Sequence, residues 1–451
     1  MVPPRRPPPP AWVGSMAMAQ LALWLGLYAP LKTLVPLLAA QIAAGGADLG
    51  PVVGFGPGLS PGLSPSKEAL LAAVTLAGSL VAVVATPLAG SLCDRSRGRW
   101  GQRSTWVGAG SLGAALAIGL LPQARSGLAL LLLWGLANLG LAACLAGLHG
   151  SAADRVPMGE QGSLWGWVGL AQPLGLVLGV GLCSLLLPQL QLAAWVLAAL
   201  LVAANGPYLA LERRQPAKTL AQARFEIQPL GQGTISPSQA AARSPSQSPR
   251  LTSPQRWPLA LAAFRHGPFA RLWISRFLLY LGWSISTVYL LYFLEDRLGL
   301  AQARALEALT LLLALYAGAT ALASALAGPL SDRLGRRLPL VWVGTGGMAL
   351  ACALMLISQS LPLALVGASL LGLAYGTYGA SHQALVVEQL PSGEHHGRDL
   401  GLFNGANSAA MVVSPVLAWA LVSGLGGYGS LFLAATLLIL ISALPLLRLG
   451  E

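Results

Sequence analysis

Few residues in this chain of 451 have the types and spacing for chemistry, because only 9% of it is charged. One group is dense. "GSLCDRSRGRWGQR" (90–103) gathers Asp94, Arg95, Arg97, Arg99 and Arg103 between two long apolar runs. The rest are isolated ionisable side chains within apolar runs: Lys32, His149, Arg276 and His382. Histidine titrates near neutrality, so His382 in "ASHQALVVEQLP" has the chemistry to take up and release a proton. Lys32 stands between Pro30 and Pro36, roughly 25 Å up its helix at 1.5 Å per residue. There it either snorkels to the outer face or serves an anionic substrate or a proton site. Arg276, closer to its own helix start, is expected to snorkel to the nearer face. All 15 acids fall in tails, loops or span ends, which argues against an ion site made of side-chain carboxylates. No G-x-x-x-x-G-K-[ST] and no H-E-x-x-H occurs, so no nucleotide-hydrolysing or zinc-protease site is indicated. "EHHG" (394–397) reads as a solvated turn. Neither enzyme chemistry, nor a metal, nor a cofactor is expected.

The elements that must hold these residues are membrane helices. Hydrophobic residues make up 55% of the chain, far more than a soluble protein of this length carries. Apolar runs long enough to span a bilayer recur: 15–43, 67–92, 104–121, 128–150, 163–186, 192–211, 269–294, 306–330, 338–357, 362–387, 399–424 and 428–447. The four cysteines show no CxxC pairing and read as small core residues. Four segments are expected: a tail (1–14), a six-helix bundle (15–211), a disordered linker (212–267) that contains "SPSQAAARSPSQSPR", and a second bundle with a short tail (268–451).

With both termini cytoplasmic, 21 of the 27 basic residues fall inside and four outside, a strong positive-inside bias. The net charge of +12 therefore points to membrane topology, not to nucleic acid. The halves also repeat. "GSLCDRSRGRWGQR" is echoed by "GPLSDRLGRR" (328–337), and "DRVPMGEQG" (154–162) by "EQLPSGEHHG" (388–397). Asp94 and Asp332 are 238 positions apart, and Pro157 and Pro391 are 234 apart. A six-helix unit duplicated in parallel orientation accounts for both offsets. His149 and His382 stand at nearly equivalent places in the two copies.

The pattern Gly-x-x-x-Asp-Arg-x-x-Gly-Arg-Arg after the second helix of each half resembles the major facilitator superfamily. The insertion in the first copy is similar to the glycoside–pentoside–hexuronide cation symporters and the related sucrose–proton symporters. "AADRVPMGEQGSLWGWVGLAQPLG", "RLWISRFLLYLGW", "LYFLEDRLG" and "DLGLFNGANSAAMVVSPVLA" agree with that branch. The resemblance implies an all-α membrane protein of twelve helices in two pseudo-symmetric bundles, rocking about a site lined by the first, fourth, seventh and tenth helices. It implies a gate built from Gly90, Asp94, Arg95 and Arg99 and from Gly328, Asp332, Arg333, Gly335, Arg336 and Arg337. Asp94 would face the N-terminus of the eleventh helix near Asp399, where the helix dipole favours a carboxylate, and Asp332 would face the fifth near Ser163. Coupling candidates are His382, which stands where this branch commonly has an aspartate, with Lys32 and His149. Polar and aromatic residues at mid-depth of the four cavity helices are the substrate candidates: Trp24, Tyr28, Trp134, Asn138, Tyr280, Trp283, Tyr289, Tyr375 and Tyr378.

The resulting expectation is a monomeric secondary transporter in the cell (inner) membrane, carrying a sugar or similar small polar solute with protons. An exporter of hydrophobic compounds, or a non-transporting assembly factor of the same fold for pigment complexes, are the alternatives.

Overall fold

The computed structural model describes residues 9–45, 66–96, 102–155, 161–187, 189–214, 264, 267–334, 338–388 and 396–447, and nearly all of them are helical. The first half comprises α1 (Pro10–Ala44), α2 (Lys67–Arg95), α3 (Gln102–Leu120), α4 (Gly127–Arg155), α5 (Gln161–Leu185) and α6 (Leu190–Arg214). The second comprises α7 (Gly267–Val288, continued by Leu290–Arg297), α8 (Gln302–Leu334), α9 (Leu338–Ile357), α10 (Leu361–Glu388), α11 (His396–Gly424) and α12 (Tyr428–Leu447). Ten helices are long and apolar enough to cross a membrane, and α7 with its continuation makes an eleventh. α5 adds a shorter apolar stretch, Ala171–Leu185.

Several ends differ from the expected ones for local reasons. α1 starts at Pro10 rather than 15, with proline in the first turn, where its missing N–H costs no bond. α6 runs past 211 to Arg214 because Glu212 is held from two sides, by Trp12 Nε1 at 3.0 Å and by Arg155 at 2.9 Å. The expected linker lies mostly outside the described residues.

Packing repeats with a period of six helices. α1 packs on α5 and α6, α2 on α4, α3 on α4 and α6; likewise α7 packs on α11 and α12, α8 on α10, α9 on α10 and α12. Between the halves, α2 meets α11 and α5 meets α8, which is the same contact exchanged by the pseudo-twofold axis. The duplicated landmarks agree: Asp94 is one residue from the end of α2, and Asp332 is two from the end of α8.

Outward faces are apolar. On α2 the exposed side chains Leu80, Val84, Leu88 and Leu92 recur every four residues, an apolar stripe of the kind a bilayer covers. Inward, small residues let backbones approach. A Cβ on Gly372 or Gly376 would meet the carbonyls of Tyr316 and Thr320 in α8 at 2.3 and 2.4 Å. One on Gly175 would meet Leu25 N of α1 at 2.8 Å. Gly175 with Gly179, and Gly372 with Gly376, are thus pairs at four-residue spacing that make close helix contacts, as small-xxx-small pairs in membranes commonly do. The four cysteines are buried and none is in a disulfide.

α1 and α7 are both distorted about 20 residues from their starts. In α1, 20 helical residues precede a π-helical turn, Pro30–Leu34, where Pro30 cannot donate and the wider turn relieves its ring clash. In α7, 22 residues precede a break at Tyr289, beyond which the chain bends by 47°. These two distortions face each other.

Candidate functional site

Aromatic residues from four helices converge at mid-depth, joined by an amide from a fifth. In the first half Trp24 stacks on Tyr28, with centroids 5.7 Å apart, and Gln172 Nε2 of α5 donates to the Tyr28 hydroxyl at 2.7 Å. In the second, Trp283 stacks on Tyr375 at 5.5 Å, and the hydroxyls of Tyr280 and Tyr375 share a hydrogen bond at 3.1 Å. Tyr316 of α8 closes the group, 6.0 Å from Tyr375. Tyr28 lies within electrostatic range of Tyr280 and Tyr316 across the two halves. Trp24, Tyr280, Trp283, Tyr316 and Tyr375 keep part of their surface free, and Gln172 is exposed. Flat faces beside hydroxyls and an amide can stack a ring and exchange hydrogen bonds with it.

One turn beyond this group, four hydrogen bonds tie the halves together at the end opposite the termini. Lys32 Nζ donates to the Thr287 carbonyl at 2.7 Å, and Tyr292 OH donates to the Pro36 carbonyl at 2.7 Å. Tyr289 OH donates to the Glu68 carbonyl at 2.9 Å, and Lys67 pairs with Asp296 at 2.6 Å. The first of these follows from the break in α7. The last carbonyls of a helix lack intrahelical donors and carry partial negative charge, so an ammonium is favoured there.

A third cluster sits between α7, α10 and α11. Arg276 was expected to snorkel, yet it is 8% exposed and donates from Nε to Asn407 Oδ1 at 2.8 Å. Its guanidinium lies 4.8 Å from the Phe403 ring and 5.3 Å from that of Tyr280. The α11 amide and ring supply what water would otherwise provide. His382 is 1% exposed, stacked between Tyr378 at 4.6 Å and Phe403 at 5.8 Å, with no hydrogen-bond partner for either ring nitrogen among the described residues. The other coupling candidate, His149, keeps an accessible face on α4.

The expected site residues thus divide. Trp24, Tyr28, Tyr280, Trp283 and Tyr375 come together. Trp134 and Asn138 do not join them: both lie against Gly78 of α2, where a Cβ would stand 2.4 Å from Trp134 Nε1, and Asn138 bonds back to the Trp134 carbonyl. Tyr289 belongs to the closure and Tyr378 to the His382 stack. Gln172, Tyr316, Asn407 and Thr287 were missed. Polarity in the middle of an apolar helix was the available signal for Gln172 and Asn407; nothing local marks a backbone carbonyl. Of the motif residues, Arg99, Gly335, Arg336 and Arg337 lie outside the described residues. Asp94, Arg95, Gly328, Asp332 and Arg333 are placed on helices by their backbones only. Gly90 faces open space. Around it, Trp106 Nε1 donates to Ser96 Oγ at 3.0 Å and Arg103 approaches Cys93 Sγ at 3.4 Å, which ties α3 to the end of α2.

Two bundles with exchanged contacts and a run of apolar helices long enough to span a bilayer define a multi-pass membrane protein built on a duplicated six-helix plan. A family model of the Major Facilitator Superfamily matches residues 16–309 and 272–451. The chain belongs to the major facilitator superfamily. An MFS-type transporter of Schizosaccharomyces pombe is 30% identical over 166 residues, and the match spans 37% of each chain. Among solved structures, the nucleoside transporter NupG in a D323A mutant form superposes with a TM-score of 0.68 at 14% identity, covering 97% of this chain and all of the other. A peptide transporter, POT, in complex with sulfate gives 0.67 at 15% identity over 99% and 97%. The human organic anion transporter MFSD10 gives 0.59 at 18% over 97% and 100%. These likenesses establish the fold.

Proposed function

We propose that the protein is a secondary transporter that carries a sugar or a similar small, ring-bearing polar solute together with protons, rocking its halves about the aromatic cluster. The observation that carries this reading is the pairing of stacked faces with hydroxyls, Trp283 on Tyr375 with Tyr280 bonded beside it, opposite Tyr28 and Gln172. Both halves contribute, so rocking them apart dismantles the site on one side of the membrane at a time. The likeness of the inserted motif at 90–103 to the sugar-symporter branch supports the same class, with both termini cytoplasmic and the cell membrane as location. Proton carriage is assigned to His382, the titratable side chain that stacks within the second bundle.

Uptake of labelled sugars into vesicles, with and without an imposed pH gradient, tests the reading. Trp283→Ala and Tyr375→Phe should each lower uptake by tenfold or more. Extrusion of apolar dyes without sugar uptake would transfer the assignment to an exporter, and neither activity would point to an assembly role.

A further inference from the structure

Lys32 places a cation over the aromatic cluster. It follows Tyr28 by four residues on α1, while its partner Thr287 follows Trp283 by four and Tyr280 by seven on α7. Both spacings keep the bridge on the helix faces that carry the aromatic residues, about one 5.4 Å turn farther along. The ammonium is therefore the ceiling of the group that the proposed function treats as the solute site.

That cation has no counter-charge among the described residues. Among the described residues no carboxylate lies within ion-pairing distance of Lys32. Of the two acids in the continuation of α7, Asp296 is engaged by Lys67 and by the Tyr428 hydroxyl. Lys32 spends one of its three N–H donors on the Thr287 carbonyl. A carbonyl dipole compensates only part of a full charge away from water. All 15 acids are distributed at helix ends or beyond them, so the interior offers none. A cation in such a setting is completed by an anion that comes and goes.

We propose that Lys32 binds the anionic group of the solute, so that the transported species is a small ring-bearing carboxylate, with its ring on Trp283 and Tyr375 and its charge on the ammonium. This rests on the aromatic cluster being the solute site, and it narrows the solute from neutral sugars to ring-bearing acids. Lys32 keeps two donors for the carboxylate while holding Thr287, so loading and closure of the far end reinforce each other.

The test uses matched pairs differing in charge: glucose with glucuronate, and benzyl alcohol with benzoate. Binding is measured by titration calorimetry on the full chain in nanodiscs. In at least one pair the charged member should bind tenfold or more tightly, since a charge-assisted bond is the stronger kind. Lys32→Met should erase that preference, and Lys32→Arg should keep most of it. The ratio within a pair is the readout because Lys32→Met also removes the Thr287 bond, which affects both members alike. Equal binding within both pairs, or a preference that survives Lys32→Met, overturns the inference. If neutral glucose binds best and Trp283→Ala abolishes it, the aromatic site stands and the anion falls. If benzoate or glucuronate binds but ignores Trp283→Ala, the aromatic site is the part that fails. No binding by any of the four probes counts against both.

Discussion

Lys67 Nζ of α2 lies 2.6 Å from Asp296 Oδ1 in the continuation of α7, and the same carboxylate accepts the hydroxyl of Tyr428. This ion pair joins the two halves at the rim of the far end, where Lys67 also stands 4.7 Å from the Tyr292 ring. Both side chains are partly exposed, at 26% and 37%, so the pair contributes about 0.2–1 kcal/mol. Lys67→Gln should move the equilibrium by up to about fivefold toward a far end that is open. Asp296→Asn should do more, since Tyr428 loses its charged acceptor as well. Spin-label distances across that mouth read the shift, and 1 M salt should bring the parent toward the Lys67 variant. Identical distance distributions in all three proteins would remove the pair from the closure.

Close helix contact makes a second expectation. Gly376→Ala pushes a Cβ against the Thr320 carbonyl at 2.4 Å and Ala323 at 2.9 Å, with backbone on one side unable to yield. The cost should be about 1–3 kcal/mol. Gly318→Ala and Gly346→Ala, with nothing within 4 Å, should be neutral or stabilising by about 0.5–1 kcal/mol. Unfolding of the solubilised protein measures all three. Equal effects would show that α8 and α10 are farther apart than described.

The gate assigned to Asp94 has its own test. α2 packs along α11, and Asp94 stands one residue from the α2 terminus. If Asp94 faces the N-terminus of α11, as the resemblance implies, Asp94→Asn removes a charge favoured there by about 1 kcal/mol or less. A balanced equilibrium should shift by up to about fivefold toward a mouth open at that end, with Arg97→Gln as the weaker control. Unaltered mouth distances in Asp94→Asn would leave the arginine-rich stretch as a topology signal alone.

His382 offers a cleaner separation of folding from function than most buried polar residues. Neither nitrogen has a hydrogen-bond partner among the described residues, and the ring is held by stacking on Tyr378 and Phe403. His382→Phe keeps a flat ring there and should change stability by less than about 1 kcal/mol. If His382 carries the proton, the variant should lose accumulation driven by a pH gradient and retain downhill exchange. Full accumulation in a well-folded His382→Phe protein would exclude the role.

Much of the fold was legible because its causes are local or repeat. A run of about 20 apolar residues is long enough to span a bilayer whatever surrounds it. Asp94 and Asp332 declare the duplication by their spacing, and the six-helix period of packing follows from it. Glycines at four-residue spacing marked the α1–α5 and α8–α10 contacts for the same reason, since only a missing Cβ permits those distances. The candidate site was legible in part. Five of the aromatic residues singled out by depth and helix number lie together, whereas Trp134 and Asn138 point to α2, because depth alone says nothing about which side of a helix faces the centre.

What the amino-acid sequence by itself determined is the set of helices, their common duplicated plan and the exclusion of every acid from their middles. What only the tertiary structure decided is where the long cationic side chains end. Arg276 found Asn407, 131 residues away, and Lys32 found a carbonyl 255 residues away. A flexible side chain several ångströms long chooses among whatever acceptors the neighbouring helix presents. The Thr287 carbonyl lacks an intrahelical donor because its own helix breaks at Tyr289, so the partner of Lys32 is a property of the assembled bundles and not of any stretch of residues.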